Sequence, residues 1–191
     1  MSPLTRRTFT GTAAAALLTA CAAPKPRPAA REDTSPLPAG TPAPVRLLVP
    51  AIGVDTPVIR LGLAADGTVE VPPVTAHDRA GWYRYSPVPG RTGPSVLLGH
   101  VTVGRYGDGV FRHLARLRRG DRVTTRLTDG SAPAFTVTAV RTVAKSRFPT
   151  AEVYGDVGRP VLRLITCGGR RTDDGYPDNV IVFAELEHGG S

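Results

Sequence analysis

Nineteen prolines and twenty-one glycines are spread through this chain of 191 residues, and they limit its fold more than any other feature. Proline lacks an N–H and fixes φ, and glycine weakens helix interiors, so both interrupt long helices. What they leave open is a set of short strands joined by tight turns. The length suits one globular domain with appendages, not two full domains. A hydrophobic fraction of 41% is enough to fill a core.

From Val45 onward the residues supply such strands. Residues 46–52 read as a strand ending near Pro50, and residues 54–59 as a second, with Pro57 marking an edge or a bulge. Asp66-Gly67 signals a hairpin turn, followed by strict alternation over residues 68–71. Residues 95–100 form a short apolar run, expected to be a buried strand with His100 at its end. Residues 110–118 are expected to form one short helix, with Phe111, Leu114 and Leu117 on one face. Gly120-Asp121 and Asp129-Gly130 are turns around an alternating segment at 122–127, and residues 134–143 alternate again. Residues 162–166 make another short strand, and residues 179–186 a strongly apolar last one. No repeat of fixed period is present. The pattern predicts an all-β barrel or sandwich.

The first 44 residues differ in texture. Residues 1–21 read as a secretory signal: Arg6 and Arg7 form a positive start, and residues 11–20 an alanine-rich apolar segment. That segment is far short of the roughly 20 residues a membrane-spanning helix needs. Thr5-Arg6-Arg7-Thr8-Phe9 resembles a twin-arginine export motif. Leu18-Thr19-Ala20-Cys21 resembles the lipobox of bacterial lipoproteins, which implies lipidation of Cys21 and a tether at the outer face of the cytoplasmic membrane. Without lipidation the chain would be secreted. Residues 22–44 are rich in proline and alanine and almost free of large apolar side chains, so they are expected to form a disordered stalk. The domain proper is residues 45–191.

The formal net charge is +8, carried almost wholly by arginine; Lys25 and Lys145 are the two lysines. Nucleic-acid binding would call for a basic stripe with interleaved aromatics. The arginines are scattered instead, so no nucleic-acid partner is expected. Attraction to an anionic membrane or cell wall fits the charge, and so does a generally solvated surface.

Cys21 and Cys167 are the two cysteines. If Cys21 carries lipid, Cys167 is a free thiol outside the cell, where cysteines usually pair. Cys167 ends a strand and precedes Gly168-Gly169, small neighbours that leave a thiol accessible. A neighbouring base or cation turns a thiol into a nucleophile, and His100, also at a strand end, is the candidate. From spacing alone a buried cysteine and a core histidine fit equally well.

Two segments add a resemblance. Leu162-Arg163-Leu164-Ile165-Thr166-Cys167 resembles the strand that carries the sortase cysteine, and Leu98-Gly99-His100 resembles the segment that carries the sortase histidine. Gly81-Trp82-Tyr83, Val110-Phe111, Leu117, Gly120-Asp121 and Asp178-Asn179-Val180-Ile181-Val182-Phe183 are similar to the class called F, or E/F, of actinobacteria. The resemblance runs from about Val45 to Glu187.

It implies an eight-stranded sortase β-barrel with one or two short helices. It implies a cysteine transpeptidase in which Cys167 is the nucleophile and His100 the general acid and base. Its substrates would be secreted proteins with a C-terminal Leu-Pro-x-Thr-Gly-like sorting signal. The acyl group would pass to an amine acceptor such as a cell-wall precursor or a pilin lysine. No metal and no organic cofactor are implied. Thr166 would lie against the substrate. The arginine that the family carries on the strand after its cysteine has no counterpart in Tyr176-Pro177-Asp178-Asn179-Val180. Arg163 is the substitute by alternation, being four residues before Cys167 on the same face, with Arg170 and Arg171 as alternatives. Thr102 stands where members of this class often carry aspartate. Two other readings fit parts of the chain. One is a sortase-like scaffolding module with impaired catalysis. The other is an L,D-transpeptidase-like cell-wall enzyme, disfavoured by the long stretch between His100 and Cys167.

Overall fold

The computed structural model describes residues 40–173 and 175–187. The leader with Cys21, and most of the proline-rich segment, lie outside the described residues.

Eight strands close into one barrel. They are β1 (Pro44–Val49), β2 (Val54–Leu61), β3 (Ala80–Tyr83), β4 (Gly93–Leu98), β5 (Arg122–Leu127), β6 (Ala134–Ala144), β7 (Pro160–Gly168) and β8 (Asp178–Leu186). Around the barrel the order is β1-β2-β3-β4-β7-β8-β6-β5, with β5 pairing back to β1. Two neighbouring pairs, β2/β3 and β4/β7, are parallel, and the rest are antiparallel.

Alternation along each strand sorts its side chains between two clusters. Leu162 and Leu164 of β7 and Val180, Val182 and Ala184 of β8 point into the barrel. There they meet Trp82, Leu97, Phe111, Leu114, Val123 and Phe135. Ile165 of β7, Ile181 and Phe183 of β8 and Val96 of β4 point outward. They are kept from water by α1 (Thr150–Tyr154), which lays Val153 on them, helped by Phe148 and Tyr154. Each large side chain so buried contributes about 1.5–3 kcal/mol.

The expected strands exist, with three corrections. Residues 110–118 do not form an α-helix; they make turns and one 3-10 turn at Leu114–Arg116. Phe111, Leu114 and Leu117 are nevertheless all buried, so the apolar spacing marked the core side without marking a helix. Residues 68–71 form no strand: the hairpin closes through the single bridge Leu63–Val69, and the backbone then reaches Pro72-Pro73. The strand starting at residue 46 ends at Val49, and Pro50–Ile52 turn as a 3-10 helix. Pro57 lies inside β2, opposite Arg46, one residue before β2 begins to pair with β3 at Val58. Its missing N–H therefore removes no bond from the β3 side.

The register divides the barrel into two poles. Gly168 pairs with Asp178 and Ala144 with Asp178, so the C-terminal end of β7 and the start of β8 share one pole. Val161 pairs with Glu185, Phe135 with Leu186 and Gly93 with Pro160 at the other. Pro44, paired with Leu127 near the tip of the β5–β6 hairpin, belongs to this second pole. The polypeptide thus enters and leaves the barrel at the end opposite Cys167.

Candidate active site

The parallel pair β4/β7 builds the site. Leu98 lies beside Ile165, an offset that continues past the last paired residues. The Gly99 N–H donates to the Ile165 carbonyl (3.1 Å), and Thr166 Oγ1–H donates to the Gly99 carbonyl (2.7 Å). The next residues on the two strands are His100 and Cys167. Neighbouring strands lie about 4.8 Å apart, so the fold sets His100 and Cys167 side by side. Both belong to the outward row of Val96, Leu98, Arg163 and Ile165. Cys167 is a partly exposed free thiol, and His100 is also partly exposed.

His100 is held from several sides. Its carbonyl accepts from the Phe111 N–H (2.9 Å). Gly109 presses against its backbone, where an added Cβ would come within 2.6 Å of the His100 Cβ. Its ring Nε2 lies 2.6 Å from the Pro72 carbonyl oxygen. A carbonyl can only accept, so this bond requires the hydrogen on Nε2. Nδ1 is left as the nitrogen that can exchange a proton with a neighbour. Pro72 in turn follows Glu70, whose carboxylate accepts from the Gly62 N–H (2.7 Å) while the Glu70 N–H donates to the Gly62 carbonyl (3.1 Å).

Behind Cys167 the chain must turn sharply. Gly169 adopts φ +81°, and a Cβ there would lie 3.2 Å from Pro177 Cγ and closer still to the Asp178 carboxylate. Only glycine fits this crossing from β7 to β8. The following loop carries Arg170 and Arg171, both exposed, and folds back through Thr172 and Gly175. It ends with Tyr176, whose hydroxyl meets Thr102 Oγ1 at 2.7 Å.

The remaining expected residues fall elsewhere. Thr166 is buried and faces inward, its hydroxyl given to Gly99, so it ties the Cys167 strand to the His100 strand. Arg163 shares the Cys167 face but sits about 13 Å along β7 from it, at roughly 3.3 Å per residue. Its guanidinium is turned under α1. Nε–H donates to the Glu152 carbonyl (3.4 Å), an Nη1–H to the Leu162 carbonyl (3.2 Å), and Cζ lies 4.6 Å from the centre of the Phe183 ring. Burial, reinforced by the nearby Arg159 charge, pushes its pKa down to about 10. The structure therefore gathers Cys167, His100 and Thr166, and leaves Arg163 apart from them. Pro72 and Gly109 escaped the sequence reading because they act through main-chain atoms and close approach, which no residue type advertises. Tyr176 was visible there only within a stretch lacking arginine.

A cysteine and a histidine on adjacent strand ends of a closed eight-stranded barrel can be compared with known proteins. The family model described as the sortase domain matches residues 47–187. The chain belongs to the sortase family. It is an enzyme of that family of cysteine transpeptidases, and its barrel is the sortase fold. Among solved structures it is similar to sortase C-1 from Actinomyces oris, with 23% identity over 75% of this chain and 71% of that one and a TM-score of 0.59. It is similar to the lid mutant of sortase A from Corynebacterium diphtheriae, with 20% identity, coverage of 77% and 72% and a TM-score of 0.60. Sortase C2 of Group B Streptococcus pilus island 1 follows at 19% identity, with coverage of 75% and 73% and a TM-score of 0.58. A search of curated proteins gave no match.

Proposed function

We propose that this sortase cleaves a Leu-Pro-x-Thr-Gly-like sorting signal and transfers the acyl part to an amine in the cell envelope. The observation that carries the reading is the β4/β7 register, which brings His100 beside Cys167 at the end of the two strands. Its substrates would be secreted proteins with such C-terminal signals, and its acceptor a cell-wall precursor or a pilin lysine. The motifs around Trp82, Phe111 and Asn179 favour class F, or E/F.

In this reading the Cys167 thiolate adds to the threonine carbonyl, forming an S–C bond. His100, with Nε2–H fixed on Pro72, uses Nδ1 to hand a proton to the leaving glycine nitrogen as the C–N bond breaks. The thioacyl-enzyme keeps the acyl group until an amine attacks. That amine loses a proton to His100, and the thiolate departs. Thr166 acts from behind by holding the two strands in step. Arg163 lies beneath α1, away from the reacting atoms.

The leader and stalk extend the reading to location. A lipid on Cys21 would tether the chain to the outer face of the cytoplasmic membrane. Because Pro44 enters at the pole opposite Cys167, the stalk would carry the catalytic end outward.

The full chain, incubated with a Leu-Pro-x-Thr-Gly peptide library and an amine, is expected to yield a mass adduct on Cys167 that hydroxylamine releases. Cys167→Ala should show none, and His100→Ala should lose turnover. A folded chain with a reactive thiol and no adduct from any peptide would favour the scaffolding reading.

A further inference from the structure

Addition of a thiolate to a carbonyl places negative charge on the carbonyl oxygen, and enzymes meet it with a hydrogen-bond donor already in place. Arg163 is committed beneath α1, and Arg170 and Arg171 are exposed on the loop. A different donor crosses the site.

Tyr176 stands two residues before β8, and Thr102 stands two residues beyond His100. Between β8 and β4 runs β7, which ends at Cys167 and Gly168. The 2.7 Å contact between the Tyr176 hydroxyl and Thr102 Oγ1 therefore spans the end of β7, from the β8 side to the His100 side.

The loop is built to hold that ring. Thr172 N–H donates to the Gly175 carbonyl (2.8 Å), Gly175 N–H returns to Thr172 (3.1 Å), and Thr172 Oγ1–H adds a bond of 3.0 Å to Gly175. On the other side of Tyr176, the Pro177 carbonyl accepts from the Lys145 N–H (3.0 Å). A phenol has one proton and can also accept. If Thr102 donates to it, the Tyr176 proton is left for another oxygen.

We propose that Tyr176 is the catalytic donor to the oxyanion formed on Cys167, and that Thr102 positions it. The assignment rests on the acyl-transfer reading above. As the S–C bond forms, the carbonyl π pair moves onto oxygen. The Tyr176 O–H bonds to that oxygen and keeps its proton. The pair returns when the C–N bond breaks, and the amine leaves with the proton supplied by His100.

The test compares Tyr176→Phe, Thr102→Val and Thr102→Ser in the full chain. It measures acylation by a peptide that acylates the wild type and, separately, alkylation of Cys167 by iodoacetamide. Tyr176→Phe should lower kcat on the order of 10²-fold with KM and alkylation unchanged. Thr102→Val should lower kcat less, and Thr102→Ser should restore it. A Tyr176→Phe enzyme with wild-type kcat would overturn the assignment while leaving the sortase reading intact. Parallel loss of acylation and alkylation would also overturn it, because a disordered site rather than a lost donor would be responsible. A wild-type chain that no peptide acylates would sink both.

Discussion

Single residues at this site do work that their type alone does not reveal. Gly109 has an ordinary backbone conformation, yet its missing Cβ is what lets the loop close on His100. Gly109→Ala is expected to push His100 off its bond to Pro72. Turnover should drop on the order of tenfold, equivalent to about 1.4 kcal/mol in the barrier, with little change in peptide binding. Steady-state kinetics, with kcat and KM resolved, would check this. Arg163 offers the opposite case. Its alternation with Cys167 was legible in the sequence, but not the helix that would cover it. Arg163→Met should be neutral or stabilising, because the cost of desolvating the guanidinium offsets its bonds to the Glu152 and Leu162 carbonyls, and methionine still fills the space under α1. The sign follows from burial, which pushes the pKa down to about 10, below the ordinary arginine range. At neutral pH both folded and unfolded chains carry the charge, and the burial penalty is fully present. As the pH rises through about 10 the folded chain begins to shed the proton before the unfolded one, and the penalty fades. The advantage of Arg163→Met in urea midpoint should be largest near pH 7 and shrink above pH 10. A marked loss of stability at pH 7 would contradict it.

At the level of elements, the sequence disclosed strands whose two faces differ. The segments at 122–127, 134–143 and 179–186 alternate or run apolar long enough to be read, and each lies in a strand. The four-residue β3 and the five-residue α1 are too short to show a period, and both were missed as elements. The parallel pairing of β4 with β7 was also hidden. It joins segments 67 residues apart, since Leu98 faces Ile165, and nothing in either segment names the other. Cys167 and His100 could be nominated as strand-end residues; only pairing makes them neighbours. That pairing depends on Thr166. Thr166→Val keeps the shape but leaves the buried Gly99 carbonyl without its partner, a cost of about 1–3 kcal/mol. Thermal melting should show the loss, and turnover should fall with it because the two strand ends slip. Thr166→Ser should recover most of both. Full activity in Thr166→Val would mean that the main-chain ladder alone sets the register.

For the molecule as a whole, the arginine excess is partly absorbed by surface ion pairs, such as Arg122–Glu187, Arg141–Glu152 and Arg159–Glu185. Exposed pairs of this kind contribute at most about 1 kcal/mol each, so they shape the surface more than the stability. The polarity of the barrel has the larger consequence. With the chain entering at one pole and Cys167 at the other, the proposed stalk would set the height of the site above the membrane if Cys21 carries lipid. Deleting residues 25–38 should leave peptide acylation in detergent unchanged and reduce surface display of sorted proteins in cells. Equal display by the shortened chain would show that the spacer is dispensable.

Closure of the barrel also settles how a substrate can be read. Many peptide-binding sheets lend a bare margin, along which a visitor zips up amide to amide whatever its side chains. Here β5 pairs back to β1 and the ring closes, so little such margin remains beyond the stretch of β6 that outruns β5. On the proposed reading, a peptide would lie across the ring's outer wall, where discrimination falls to its side chains. Such a surface favours a short, strict signature over a long, permissive one.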